Sequence, residues 1–161
     1  KSFGYMHVKG GHEYSKTDKY GFWHPGYAWA CTKKAYQKMG GLIDWAILGS
    51  GDRHMALALI GKVEWSAPGN IEYNYLQLLL KFQKSCKSLK LSYIPGTILH
   101  HWHGSLENRR YKERWDILTS KKYDPVIDLD YTKQGLIYLN KKGERLKDDI
   151  LHYFKERKED E

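Results

Sequence analysis

Three histidines fall within four positions at His100-His101-Trp102-His103, directly after an apolar run that reads as a strand. On a strand alternate side chains share a face, so His101 and His103 project together and His100 opposite. If the strand ends at residue 100, His100 and His103 converge in the loop instead. Neutral imidazole is a common ligand for borderline divalent metals, so the cluster points to metal or phosphate contact. The plainer alternative is a pair of histidines bonded to backbone carbonyls at a strand end.

Asn108-Arg109-Arg110-Tyr111 follows, with Arg114 four residues beyond Arg110. On a helix, Arg110 and Arg114 share a face and their guanidinium forks can grip one phosphate together. Salt bridges to Glu107 or Glu113 are the structural alternative. Gly49-Ser50-Gly51-Asp52 places a carboxylate at the start of an apolar helix, where Asp either caps the helix or serves as a base. Asp44-Trp45 offers a second carboxylate with an aromatic ring beside it. Gly-Ser-Gly is no phosphate-cradling P-loop, because no Lys-Ser/Thr follows it. Asp128-Leu129-Asp130 has the spelling of a nucleotide-sugar metal motif, but it follows Pro125 near the C-terminus rather than ending a hydrophobic strand, and it reads as surface.

The elements that must position these groups are short. Residues 1–26 are polar and rich in Gly and His, and read as loops ending at His24-Pro25-Gly26. Tyr27 to Cys31 reads as a short buried strand. Thr32 is placed to cap a helix from Lys33 to Met39 that Gly40-Gly41 closes. A second helix is expected over Arg53–Ile60, ended by Gly61. Apolar residues at 71, 75, 76, 78, 79, 82, 86 and 89 predict a long amphipathic helix with lysines outward. Leu91–Ile94 and Thr97–Trp102 read as strand segments around Pro95-Gly96. Residues 106–118 read as helix, 123–130 as irregular, and Asp148–Arg157 as a closing helix. The expectation is one mixed α/β domain over residues 1–161: a loop-rich opening at 1–26, a core at 27–122 and a C-terminal extension at 123–161.

The chain has 161 residues with 41% hydrophobic and 29% charged side chains, a globular composition rather than a disordered one. Its longest apolar stretch, Met55 to Ile60, is far short of the roughly 20 residues of a membrane span. Cys31 and Cys86 are too few for a disulfide framework and form no CxxC, which predicts a reducing compartment. The net charge is +8, and residues 81–122 carry ten Lys/Arg against three Asp/Glu. Such a block favours a polyanion: nucleic acid, a nucleoside diphosphate or an anionic membrane surface.

Taken in order, four segments resemble the C-terminal half of GT-A glycosyltransferases of the large family-2 group. They are Tyr27-Ala-Trp-Ala-Cys-Thr-Lys-Lys-Ala-Tyr36, Gly40-Gly-Leu-Ile-Asp44, Gly49-Ser-Gly-Asp-Arg-His-Met-Ala-Leu-Ala-Leu-Ile-Gly61 and Ile94-Pro-Gly-Thr-Ile-Leu-His-His-Trp-His-Gly104. The likeness to a phage and bacterial branch is closer, and the tail from Gln134-Gly135-Leu136 through Leu146–Asp160 shares it. The resemblance implies an α/β fold, a short mixed sheet flanked by helices, and an inverting, metal-dependent hexosyl transfer from a nucleotide sugar to an acceptor hydroxyl. It puts Asp52 where the family's Glu-Asp pair supplies the catalytic base, with Gly51 in place of the Glu. It assigns His100, His103 and, next, His101 to a Mn²⁺ or Mg²⁺ ion that neutralises the leaving diphosphate. Arg110, Arg114 and Arg109 would support that diphosphate, and Trp45, Trp29 and Asp44 would contact the acceptor.

The family's nucleotide-binding half is not among these residues, so an upstream half in cis or in trans is expected, with little transfer by this chain alone. The expected location is cytoplasmic, in a bacterial or phage setting, or peripheral at a membrane. Two other classes compete: a nucleic-acid module or His-metal nuclease, suggested by the basic middle block, and a non-catalytic carbohydrate-binding protein using the Trp and Tyr surface. Nucleic acid is the weaker partner, because the lysines at 81, 84 and 87 keep a helical period and no HNH or zinc-finger spacing occurs.

Overall fold

The computed structural model describes residues 1–17, 21–99 and 110–157. The chain is of mixed α/β type, with seven helices and one two-stranded antiparallel sheet among the described residues. The helices are α1 (Phe3–Lys9), α2 (Lys33–Met39), α3 (Gly51–Leu59), α4 (Tyr73–Cys86), α5 (Glu113–Ser120), α6 (Pro125–Asp128) and α7 (Lys147–Glu156). Short 3₁₀ turns at Val63–Ser66 and Gly143–Leu146 join them. Two compact units form: one from residues 1–44, 49–67 and 77–96, the other from 45–48, 68–76 and 97–161.

The first unit is held by an aromatic core. Phe3, Met6, Trp23, Ala56 and Leu57 are buried together, with Tyr14, Trp29, Trp65 and Leu91 packed around them. Phe3 meets the Trp23 ring edge-on at 5.3 Å and Tyr14 meets it at 5.5 Å. The opening loop expected at 1–26 is thus partly helical. Ser2 caps α1 by accepting the Tyr5 N–H, and Phe3 and Met6, one turn apart, turn inward. α2 forms where the caps predict it: Thr32 Oγ1 accepts the Ala35 N–H at 3.1 Å. Gly40 then ends the helix at φ 82°, a left-handed conformation that favours glycine.

The strand expected over Tyr27–Cys31 does not form, and Tyr27 and Cys31 are exposed. Trp29 instead donates its indole N–H to the Pro25 carbonyl at 2.7 Å, which folds the segment into a loop rather than an extended edge. The strand segments expected at Leu91–Ile94 and at Thr97–Trp102 also form no ladder among the described residues, and residues 100–102 lie outside them. α3 begins two residues before its expected start and α4 is shorter than its apolar period.

The second unit is built on Tyr75, which is fully buried. Trp45 lies edge-on to it at 4.9 Å, and Trp115 and Tyr123 at 6.3 and 6.1 Å. The Tyr123 hydroxyl donates to the Trp45 carbonyl at 2.6 Å. Burial pushes both phenols above the usual tyrosine range. The segment read as irregular, 123–130, is ordered: Asp124 caps α6 through the Val126 N–H, and Pro125 occupies the first helical position. β1 (Leu129–Tyr131) then pairs with β2 (Ile137–Leu139), with Asp130 opposite Tyr138.

Candidate functional site

Asp52 occupies the second position of α3, and the chain reaches it through a strained turn. Gly49 has φ 98° and Ser50 φ 72°, so two successive residues are left-handed before the helix begins. For a serine this costs on the order of 1–2 kcal/mol. The Ser50 hydroxyl is buried with no hydrogen-bond partner among the described residues, so it does not repay the strain as a helix cap would. The turn delivers the Asp52 side chain to the surface at the positive end of the helix, where negative charge is favoured.

The two roles open to Asp52 divide between its oxygens. Oδ1 accepts the Arg53 N–H at 2.8 Å, one of the free amides of the first helical turn. Oδ2 faces Gly26, where a Cβ would come within 3.2 Å of it and within 3.1 Å of His24 Cε1. The missing side chain at Gly26 therefore keeps open the space between a carboxylate oxygen and an imidazole edge.

That imidazole is oriented by its neighbours. The Gly26 N–H donates to His24 Nδ1 at 3.1 Å, so Nδ1 carries a lone pair and the ring proton sits on Nε2. The His24 ring stacks on Tyr27 at 4.3 Å and 17° from parallel, and Phe22 stands perpendicular to it at 5.6 Å. Phe22 and Tyr27 are exposed, so the carboxylate is bordered by a flat, solvent-facing aromatic cluster. Behind it, buried His54 and Ser66 hold the helix against the 3₁₀ turn. Ser66 Oγ donates to the Val63 carbonyl at 2.5 Å, so it accepts from His54 Nδ1 at 2.6 Å, which puts the proton on Nδ1 of that ring.

Sequence reading located Asp52 and missed His24, Tyr27 and Phe22. Gly26 at the His-Pro-Gly turn was the available signal, since a turn glycine beside aromatics can admit a close approach. Trp29 is half-buried and spent on the Pro25 bond. Asp44 is exposed and belongs to the first unit, whereas Trp45 belongs to the second and packs on Tyr75.

His100, His101, His103 and Arg109 lie outside the described residues, and so does the metal site expected of them. Among the described residues no group of three or more His, Cys, Asp or Glu side chains is placed to hold a metal ion. The shared helical face expected for Arg110 and Arg114 does not form. Arg110 has φ 49° and precedes α5, so the i, i+4 relation has no helix to act through. Arg110 pairs with Glu113 at 3.4 Å and Glu156 at 3.6 Å. The amide hydrogens of the first turn, Glu113's own foremost, and the Arg110 guanidinium hold the Glu113 carboxyl below its usual range. Arg114 lies over the Tyr111 ring at 4.9 Å.

The Asp-x-Asp triplet is not the surface pair expected: Asp130 is exposed, but Asp128 is fully buried. Arg145 reaches Asp128 with both terminal guanidinium nitrogens, Nη1 at 2.6 Å and Nη2 at 2.8 Å, and the Asp124 N–H adds a third bond at 2.9 Å. All three of these donors belong to the fold, and the carboxylate is closed to solvent. No helix among the described residues is long and apolar enough to cross a membrane. In comparisons with protein-family models, curated proteins and solved structures, nothing matches this chain.

Proposed function

We propose that this chain is the acceptor-side part of a GT-A-type glycosyltransferase, with Asp52 as the general base that deprotonates an acceptor hydroxyl. The observation that carries the reading is the pairing of an exposed Asp52 Oδ2, opposite the bare backbone of Gly26, with the flat His24–Tyr27 stack beside it. A pyranose presents an apolar face suited to an aromatic ring and hydroxyls suited to a carboxylate and an N–H donor. With the sugar against Tyr27, the His24 Nε2–H would donate to a ring hydroxyl and Asp52 Oδ2 would accept the proton of the attacking one. As that proton leaves, the oxygen becomes the nucleophile at the anomeric carbon of the donor, whose configuration inverts.

The donor is a nucleotide-diphosphate sugar, bound by an N-terminal half in cis or in trans. His100, His101 and His103 are the residues that would hold a divalent ion, which when bound neutralises the leaving diphosphate. The acceptor is a glycan or another hydroxyl compound.

The test is sugar transfer by the full-length polypeptide supplied with nucleotide sugars and Mn²⁺. Asp52→Asn should lower turnover by about 10²–10⁴-fold, the range for loss of a positioned base, with little change in KM. Unchanged turnover in that variant refutes the base assignment. Transfer absent from the parent polypeptide with every nucleotide sugar refutes the transferase reading itself.

A further inference from the structure

In the first unit α2 touches the segment that follows α4, where Lys38 Nζ donates to the Ser88 hydroxyl. The bond joins the helix that carries one set of lysines to the segment between Lys87 and Lys90 of a second set. Lys34 and Lys38 lie one turn apart on α2, and Lys81, Lys84, Lys87 and Lys90 recur every three residues along and beyond α4. All six are exposed, as is Lys33. None of the seven makes an ion pair among the described residues, and no Asp or Glu occurs in residues 27–43 or 73–99.

A solvated face normally mixes both signs, because like charges held together repel. Part of the row has a fold-level reason, since lysines at the end of α4 complement its negative pole. Lys33 and Lys34 have the opposite relation: they sit in the first turn of α2, where cations are disfavoured and no acidic residue offsets them. The patch carries a cost to the fold that a bound polyanion would remove.

We infer that this face docks on an anionic lipid bilayer. Two observations favour a bilayer over nucleic acid. The cations in these segments are all lysine, point charges without the planar fork that grips single phosphates or reads bases. Exposed apolar side chains accompany them: Tyr36 on α2, 45% exposed, and Leu42 just past its cap, 66% exposed. Basic side chains with interleaved aromatic and aliphatic ones suit the headgroup boundary, where the charges meet anionic lipid and the apolar groups enter the acyl edge. The inference is independent of the glycosyltransferase reading.

The experiment is co-sedimentation of the chain with vesicles of phosphatidylcholine, alone or with about 30% phosphatidylglycerol, at low salt and at roughly 0.5 M salt. Binding should need the anionic lipid and fall away at high salt. Replacing Lys34, Lys38, Lys84 and Lys87 by Glu should weaken it by at least about 100-fold. The same four changed to Gln serve as a second variant if melting shows that the Glu set unfolds. An equal-charge control replaces Lys133, Lys141, Lys142 and Lys147 by Glu in the second unit, and should retain most of the binding. Equal loss in both sets means that net charge alone drives adsorption and overturns the inference. No binding to anionic vesicles overturns it too, as does RNA bound more tightly than vesicles and released by the first set of changes.

Discussion

Asp52 and Asp128 lie in different units, and both are Asp residues within a helix next to a turn, yet their surroundings are opposite. Asp52 is exposed and spends one oxygen on the Arg53 N–H, leaving Oδ2 facing Gly26. Asp128 is fully buried and bonded by both Arg145 nitrogens and the Asp124 N–H. A buried carboxylate held by three fixed donors can neither take a proton from a substrate nor bind an ion without dismantling its support. One left half-paired at a helix N-terminus, with open space before it, can. The difference teaches that the number of donors reaching an Asp decides whether it is locked into the fold or left open to solvent.

The comparison breaks most visibly at Arg145. This side chain also donates to the carbonyls of Lys121, Lys122 and Lys142, so it ties α6, the turn after α5 and the last 3₁₀ turn to one buried charge. The bond to Asp128 is the main reason its guanidinium holds its proton more tightly than usual. Arg145→Ala should destabilise the protein by about 3–5 kcal/mol, because the Asp128 carboxylate stays buried without its partner. Urea denaturation measures it, and a loss below about 1 kcal/mol would show that Asp128 is not held as described.

A smaller effect distinguishes the units at alkaline pH. Burial lifts the Cys86 thiol in the first unit from its ordinary 9.0 to about 11. In the unfolded chain the thiol ionises near 9.0, so stability is intact below that pH and drains away as pH rises toward 11. Tyr75 and Tyr123 in the second unit are also raised, from 10.0, so their loss has the same sign and begins higher. Cys86→Ala should flatten the pH dependence of the melting temperature above pH 9 and leave the tyrosine-driven decline in place. An unaltered curve would mean that Cys86 is not the first group to release its proton.

The smallest expected change sharpens the other side of the comparison. Asp52→Asn should alter folding stability by less than about 0.5 kcal/mol, since an exposed amide oxygen can still accept the Arg53 N–H. A loss of several kcal/mol would make Asp52 a structural residue like Asp128 and remove the contrast.

The elements that the sequence made legible are those with local signals. Thr32 and Gly40 bracket α2 in both readings, and the apolar spacing of α4 needed no partner to be seen. α1 escaped because only two buried apolar side chains, Phe3 and Met6, in seven residues give little period. The β1–β2 hairpin had a signal in Gly135, at φ 81°, between Tyr131-Thr132 and Leu136-Ile137, but strands of three residues are too short for alternation to speak.

By itself the sequence determined where α2 starts and stops, and that a carboxylate stands at the head of α3, because caps and hydrophobic periods act over one or two turns. Tertiary structure decided which carboxylate is free. Arg145 reaches Asp128 from 17 positions away, and His24 and Gly26 meet Asp52 from more than twenty. The charge and openness of a site depend on such long-range neighbours, whose approach is set by the packing of the whole unit and by no spacing along the chain.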